Sequence, residues 1–461
     1  MNSKNHHLRN WMALGLCAAL IGGFLAGCGP ASPRERETTR TPPAGDTGLT
    51  LNLYQPHAGQ TALWDSLAAD YKALTGVTVA VRMPGGGNHE LKEALDTDSG
   101  APGVFFFTDP RQYEDFQNYA HNLSDTPAYQ HLLDDRLALK AEDKVIGLPV
   151  GVEAYGILYN KKILDQYFAL EDREADLDGI ADVGTYTRLE ALVKDLDARK
   201  NDLGLDGVFA APALKEGESA TWGTRLLSVP VGYELEKDRT DVTGEDAREL
   251  RLRHEDGYKA FTDLALNYST TKESLDTRAY ADAAREFATG KAAMILGSTD
   301  FLGQLNSALG QTVNAEDVAF LPALMTMEGV DNQGLAFEVV EFASINGKAG
   351  EEEIQAAGEF LNWLFTSEKG LDFLANRLNV IAPYDTVTAA TLPQNPLSID
   401  AFGWLRREGV HNTVTWSVLS PGEEFRDKVV GTGLLSYANG ESDWGKYKEG
   451  VQRGWKENWG R

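Results

Sequence analysis

The chain has 461 residues, 43 Lys and Arg against 69 Asp and Glu for a formal net charge of -26, and two cysteines. That length is too great for one compact core and implies two or three domains, and a 42% hydrophobic fraction with 24% charged residues excludes a wholly disordered chain or a polytopic membrane protein. The acidity argues against nucleic acid and anionic membrane surfaces as partners, because both require clustered Lys and Arg to replace counterions.

Residues 1–10 carry Lys4 and Arg9 with no acidic residue and lead into the apolar run Trp11 to Leu25. A positive start followed by an apolar stretch too short for a comfortable membrane span has the form of a secretory signal. Leu25-Ala26-Gly27-Cys28 resembles the lipobox of bacterial lipoproteins, which implies cleavage before Cys28 and a diacylglycerol on its sulfur. The alternatives are an uncleaved anchor or an ordinary signal with an incidental Cys. On the lipoprotein reading Cys17 is discarded with residues 1–27 and Cys28 is acylated, so the fold holds without a disulfide and the protein sits outside the cytoplasm, anchored to the cell membrane. Residues 28–48 contain four Pro and no large apolar residue, the composition of a flexible tether.

Leu49 to Tyr54 alternates apolar and polar residues and predicts a strand. Thr61 to Leu74 has the apolar spacing of an amphipathic helix, stopped by Gly76. A strand over Val77 to Val81, a short helix over Leu91 to Leu95 and a strand over Val104 to Phe107 follow, an alternation that predicts a parallel sheet with crossover helices. In such sheets ligands bind beyond the carboxyl ends of the strands, where Tyr54, the Gly85-Gly86-Gly87-Asn88 loop and Asp109 fall. Further on, the pattern predicts strands at Tyr155 to Tyr159, Ala292 to Leu296 and Phe337 to Ile345. It predicts helices at Lys161 to Phe168, Leu189 to Arg199, Gly257 to Tyr268, Asp276 to Thr289, Glu351 to Phe365 and Glu368 to Asn376. No internal repeat of 20 to 50 residues is visible. The fold class is α/β.

Three segments resemble the family 1 extracellular solute-binding proteins of ABC sugar importers. They are GLPVGVEAYGILYNKKIL at 147–164, EFATGKAAMILGSTDF at 286–301, and the run from Ala343 to Tyr384 that includes Val380-Ile381-Ala382-Pro383. Lys200 to Ala211 with Trp222 also looks like a subgroup of these proteins. The resemblance implies a two-lobed, type II periplasmic-binding-protein-like fold, with lobes joined by a hinge that the chain crosses more than once. The first lobe would be roughly 49–153 plus 335–381 and the second roughly 157–330 plus 385–461. A ligand would bind between them, and closure would be a population shift driven by contacts to both. It further implies a monomer that hands a carbohydrate to an ABC permease, with no cofactor and no enzymatic activity.

A sugar offers apolar C-H faces and hydroxyls that both donate and accept, so its site needs aromatic platforms with carboxylates, amides or Arg at the edges. The candidates are Asp109, after the third strand, with helix capping as its alternative role; Glu153 and Tyr155, in the family-like crossing segment; Trp222, in the polar stretch GESATWGTR where a core Trp is unexpected; Asp300, in the turn after a strand; and Tyr384 and Trp416. Asp172, Glu174, Asp176, Asp178 and Asp182 crowd together but depart from a calcium loop, because no Glu closes it, so no metal is expected. Two other functions remain open. One is the same fold binding a polyamine, peptide or metal complex, which would favour carboxylates without aromatic platforms. The other is a secreted glycoside hydrolase, which would need two carboxylates flanking a bond. No Gly-x-Ser-x-Gly, His-Glu-x-x-His or phosphate-loop signature appears.

Overall fold

A computed structural model describes residues 45–82, 88–97, 100–108, 116–238, 245–415 and 422–458. Cys28, the Gly85-Gly86-Gly87 loop, Asp109 and Trp416 lie outside the described residues. Among the described residues ten strands make one sheet: β1 (Thr50–Tyr54), β2 (Thr78–Arg82), β3 (Val104–Phe107), β4 (Leu139–Ala141), β5 (Lys144–Asn160), β6 (Gly207–Phe209), β7 (Ala292–Ser298), β8 (Val318–Leu321), β9 (Gln333–Ile345) and β10 (His411–Thr415). Its order is β2-β1-β3-β9-β5-β7-β6, with β10 beside β9, and β4 and β8 beside β5.

The expected parallel pairing holds for β1 with β2, β1 with β3, and β6 with β7. It fails in the middle of the sheet, where β9 runs antiparallel to β3 and β5, and β5 runs antiparallel to β7. The two middle strands are also longer than the sequence pattern predicts. Alternation is visible only over Tyr155 to Tyr159, yet β5 continues back to Lys144 through Pro149, and β9 begins at Gln333 rather than Phe337. A proline inside a central strand argues against one. Here Pro149 sits at a bulge: the register of β5 on β9 shifts twice, between Pro149 and Gly151 and between Gly151 and Val152. Gly151 is required there, since a Cβ would stand 2.6 Å from the Cβ of Val380.

The helices follow their apolar stripes. Thr61–Thr75 buries Trp64, Leu67, Ala68 and Tyr71, and ends where Gly76 takes φ +78 and its N–H donates to the Lys72 carbonyl. β3 reads Val-Phe-Phe-Phe and is buried throughout, as a strand covered on both faces must be. Its rings meet Trp64 at 5.0 Å and, stacked, Phe342 at 5.5 Å. Asn160 accepts from the Lys162 and Ile163 N–H groups and starts the helix Lys161–Phe168. Two hydrophobic clusters result among the described residues; the first takes both faces of β3, and the two part by sheet face along the end of β5. Ala154 and Leu158 of β5 join the first cluster, whereas Tyr155 and Ile157 join the second.

Residues 221–238 were not legible as an element. A π-helical turn, Thr221–Arg225, runs into the helix Leu226–Asp238, which carries Pro230 in its interior. A proline at that position removes the N–H that would bond four residues back, so the pattern suggests a break. Burial of ten consecutive residues from Leu226 to Leu235 overrides it.

Candidate functional site

The register of β5 on β9 sets Glu153 opposite Glu338, and β10 adds Thr415 on the other side of Glu338. Like charges directly opposite on neighbouring strands repel. A cation from outside the sheet meets this pair: the π-helical turn delivers Arg225, whose Nη2 donates to Glu153 Oε2 at 3.0 Å. Arg225 Nη1 donates to Ser298 Oγ at 2.5 Å, and Ser298 Oγ in turn donates to Asp300 Oδ1. Ser298 reaches the cluster because β7 pairs Ser298 with Tyr155, two residues beyond Glu153 on β5. Three carboxylates therefore gather around one guanidinium, drawn from three strands or strand ends and one helical turn.

The electrostatics follow from that ratio. Burial is the largest influence on Glu153 and raises its carboxyl above the usual range; Asp300 and Glu338 push the same way, and Arg225 opposes them. Burial also works against the charge of Arg225, but Glu153, Glu338 and Asp300 outweigh it and hold the guanidinium protonated. Asp300 is exposed, while Glu153 and Arg225 are about one-quarter exposed, at 28% and 29% of their side chains. These groups are reachable from solvent yet positioned by their neighbours. Chemically they offer acceptors at the carboxylates and donors at the guanidinium edge, an arrangement suited to gripping hydroxyls or a cationic group.

Of the expected site residues, Glu153 and Asp300 come together here. Tyr155 lies beside them but faces inward. It is 7% exposed, its hydroxyl donates to the Thr221 carbonyl at 2.9 Å, and burial raises its phenol well above the ordinary value. It braces the turn that carries Arg225. Trp222, at 3% exposure, belongs to the second hydrophobic cluster and presents almost no face to a ligand in this conformation. The π-helical turn rolls Trp222 inward while sending Arg225 to the cluster, so a polar-looking segment buries its one large ring. Tyr384 likewise faces inward. It is fully buried, stacks on Phe365 at 4.9 Å and donates to the Pro149 carbonyl at 2.7 Å, packing the bulge of β5. Asp109 and Trp416 lie outside the described residues. Sequence reasoning missed Arg225, Ser298 and Glu338. Arg225 stands three residues after Trp222 in the same stretch, and Glu338 is one of two charges, with Glu341, within a largely apolar strand, a signal that was available.

A second buried carboxylate lies farther along β9. Glu341 is 6% exposed and its Oε1 is 3.2 Å from Nε2 of His57, just past β1. Burial raises the Glu341 carboxyl, and the hydrogen bond to Glu341 raises the His57 imidazole. In the acidic segment, Arg199 pairs with Asp172 at 2.9 Å, and Asp182 Oδ2 accepts from the Asp178 N–H at 2.8 Å.

The family description "bacterial extracellular solute-binding protein" matches residues 66–397. No curated protein sequence matches the chain. Among solved structures, the apo form of RafE from Streptococcus pneumoniae is similar at 14% identity and TM-score 0.64, over 91% of this chain and 99% of that one. A family 1 extracellular solute-binding protein from Bifidobacterium longum subsp. infantis is similar at 15% identity and TM-score 0.61, over 90% and 100%. A cyclic alpha-maltosyl-1,6-maltose binding protein from Arthrobacter globiformis is similar at 16% identity and TM-score 0.58, over 89% and 98%. At such identities the likeness shows the fold, which is the two-lobed α/β fold of these proteins. With the match spanning most of its length, the chain belongs to the bacterial extracellular solute-binding proteins, the binding components of ABC transporters.

Proposed function

We propose that the protein captures a carbohydrate, an oligosaccharide in the first instance, between lobes formed by roughly 49–153 plus 335–381 and 157–330 plus 385–461, and delivers it to an ABC permease. The observation that carries this reading is the cluster of Glu153 on β5, Glu338 on β9, Ser298 and Asp300 at the end of β7, and Arg225 on the π-helical turn. It mixes donors and acceptors as a ring of hydroxyls requires. Relatives of the same fold add support: RafE is solved in complex with raffinose, and the GacH receptor of Streptomyces glaucescens with acarbose. Isothermal titration with raffinose and maltooligosaccharides tests it. Saturable binding to the wild-type protein, lost in Arg225→Ala, is the expected result; no heat from any saccharide overturns it.

The alternative of a cationic ligand, such as a polyamine, gains from two observations. Three carboxylates face one guanidinium, and burial of Trp222 and Tyr384 removes two expected platforms. Spermidine in the same titration decides between the two readings. No helix among the described residues is long and apolar enough to cross a membrane. Attachment is assigned to a lipid on Cys28, and Cys28→Ser should move the protein from the membrane fraction to the soluble one.

A further inference from the structure

A groove of about 690 Å³ opens on the flank of the sheet, lined among others by Tyr159, Phe320, Asn332, Asp400, Trp404 and Arg407. That volume lies within the range of small-molecule sites. It is distinct from the Arg225 cluster: Tyr159 and Glu153 are six residues apart on the same strand, roughly 20 Å at about 3.3 Å per residue.

Its polar groups are fixed but unspent on one another. Asp400 sits on the helix Pro396–Leu405 and is anchored through Oδ2, which accepts the Phe320 N–H at 2.7 Å. The Arg407 guanidinium lies over the Trp404 ring, 3.8 Å from its centroid, and among the described residues no carboxylate forms an ion pair with it. Stacking holds the guanidinium plane while leaving its N–H edge open. The Tyr159 phenol feels the charges of both Asp400 and Arg407, and burial pushes it up to about 12. No hydrogen bond joins Tyr159, Asp400 and Arg407 among the described residues. A hydroxyl, a carboxylate and a guanidinium thus converge on one space without closing it, beside aromatic side chains. Adjacent hydroxyls of a sugar satisfy all three at once, donating to Asp400 and accepting from Arg407, while its C-H face lies on the aromatic wall.

We propose that this groove is a second carbohydrate site, holding a single sugar ring on the flank of the molecule. It takes the ligand class from the function proposed above, but its residues are independent of that site. The test uses Arg225→Ala, in which the first site is disabled, with raffinose at millimolar concentration in saturation-transfer difference NMR. Transfer to the sugar should persist in this variant and fall about fivefold, equivalent to roughly 1 kcal/mol, when Arg407→Ala is added. Arg407 is exposed, so its removal leaves the melting temperature in place. Asp400→Asn, which keeps an acceptor for the Phe320 N–H, should weaken transfer as well. No transfer in Arg225→Ala, or transfer indifferent to Arg407→Ala, overturns the proposal. Tight binding by the wild type with no transfer in Arg225→Ala leaves the first site standing and removes this one; transfer in Arg225→Ala without tight wild-type binding does the reverse.

Discussion

Two guanidinium clusters flank β9 and its neighbours, and they are built to opposite ends. Arg136, just before β4, donates from Nε and Nη2 to Asp134, from Nη1 to Glu236 Oε2 at 2.8 Å, and from Nη2 to the Asn412 carbonyl at 3.0 Å. His411 Nε2 closes the group, 3.0 Å from Glu236 and 3.2 Å from Arg136 Nη1. Every nitrogen of that side chain is occupied. Arg225 instead has described bonds only to Glu153 and Ser298, while three carboxylates crowd it. A saturated cation ties segments together; a guanidinium outnumbered by carboxylates sets charged groups where a ligand can use them.

The largest expected effect sharpens that contrast. Arg225→Ala should lower ligand affinity by about 100-fold or more, because truncating one partner of a partly buried charge pair costs about 2–5 kcal/mol, as read by titration calorimetry. Arg136→Ala should leave affinity within about threefold, yet lower stability by about 1–3 kcal/mol, seen as a lower denaturation midpoint. If Arg136→Ala abolished binding as completely as Arg225→Ala, the division between a structural and a ligand-facing cluster would collapse. Tyr384→Phe removes a single O–H donor from the Pro149 carbonyl and should cost about 1 kcal/mol of stability without moving affinity; a marked loss of affinity would restore Tyr384 as a ligand contact.

The smallest effect concerns His57 and Glu341. Both hold protons more tightly in the folded protein than their ordinary values imply, so their contribution is present at low pH and is lost as pH rises through the folded values. For His57 that window lies above 6.5, its ordinary value. With the imidazole 42% exposed, solvent screening holds the effect to a few tenths of a kcal/mol. Melting curves of wild type and His57→Gln should differ at pH 5.5 and converge by pH 8.5; a difference that grew with pH would contradict the pairing.

Much of the fold was legible because periodicity reports burial. Trp64, Leu67 and Tyr71 mark one helix face, and the run of Phe in β3 marks a strand covered on both sides. What was hidden depends on partners far away in the chain. Pro149 looks like the end of a strand until Tyr384 and Val380 pack on its bulge. Pro230 looks like a helix break until tertiary burial outweighs it. In the candidate site, Glu153 and Asp300 were legible because the segments that hold them resemble a family. Arg225 was not, since a one-residue widening of a helical turn decides which of Trp222 and Arg225 points inward, and nothing local in GESATWGTR announces that turn.

β5 has one further property. Its 17 residues make a ribbon about 56 Å long at about 3.3 Å each, clamped by hydrogen bonds along most of its length. Its pairing to β9 breaks step only between Pro149 and Val152, where Pro149 has no N–H to give and Gly151, two residues on, has no side chain. A scored ruler bends at the score. The ladder to β9 loses step at this notch, so the two lengths of β5 are least firmly joined there.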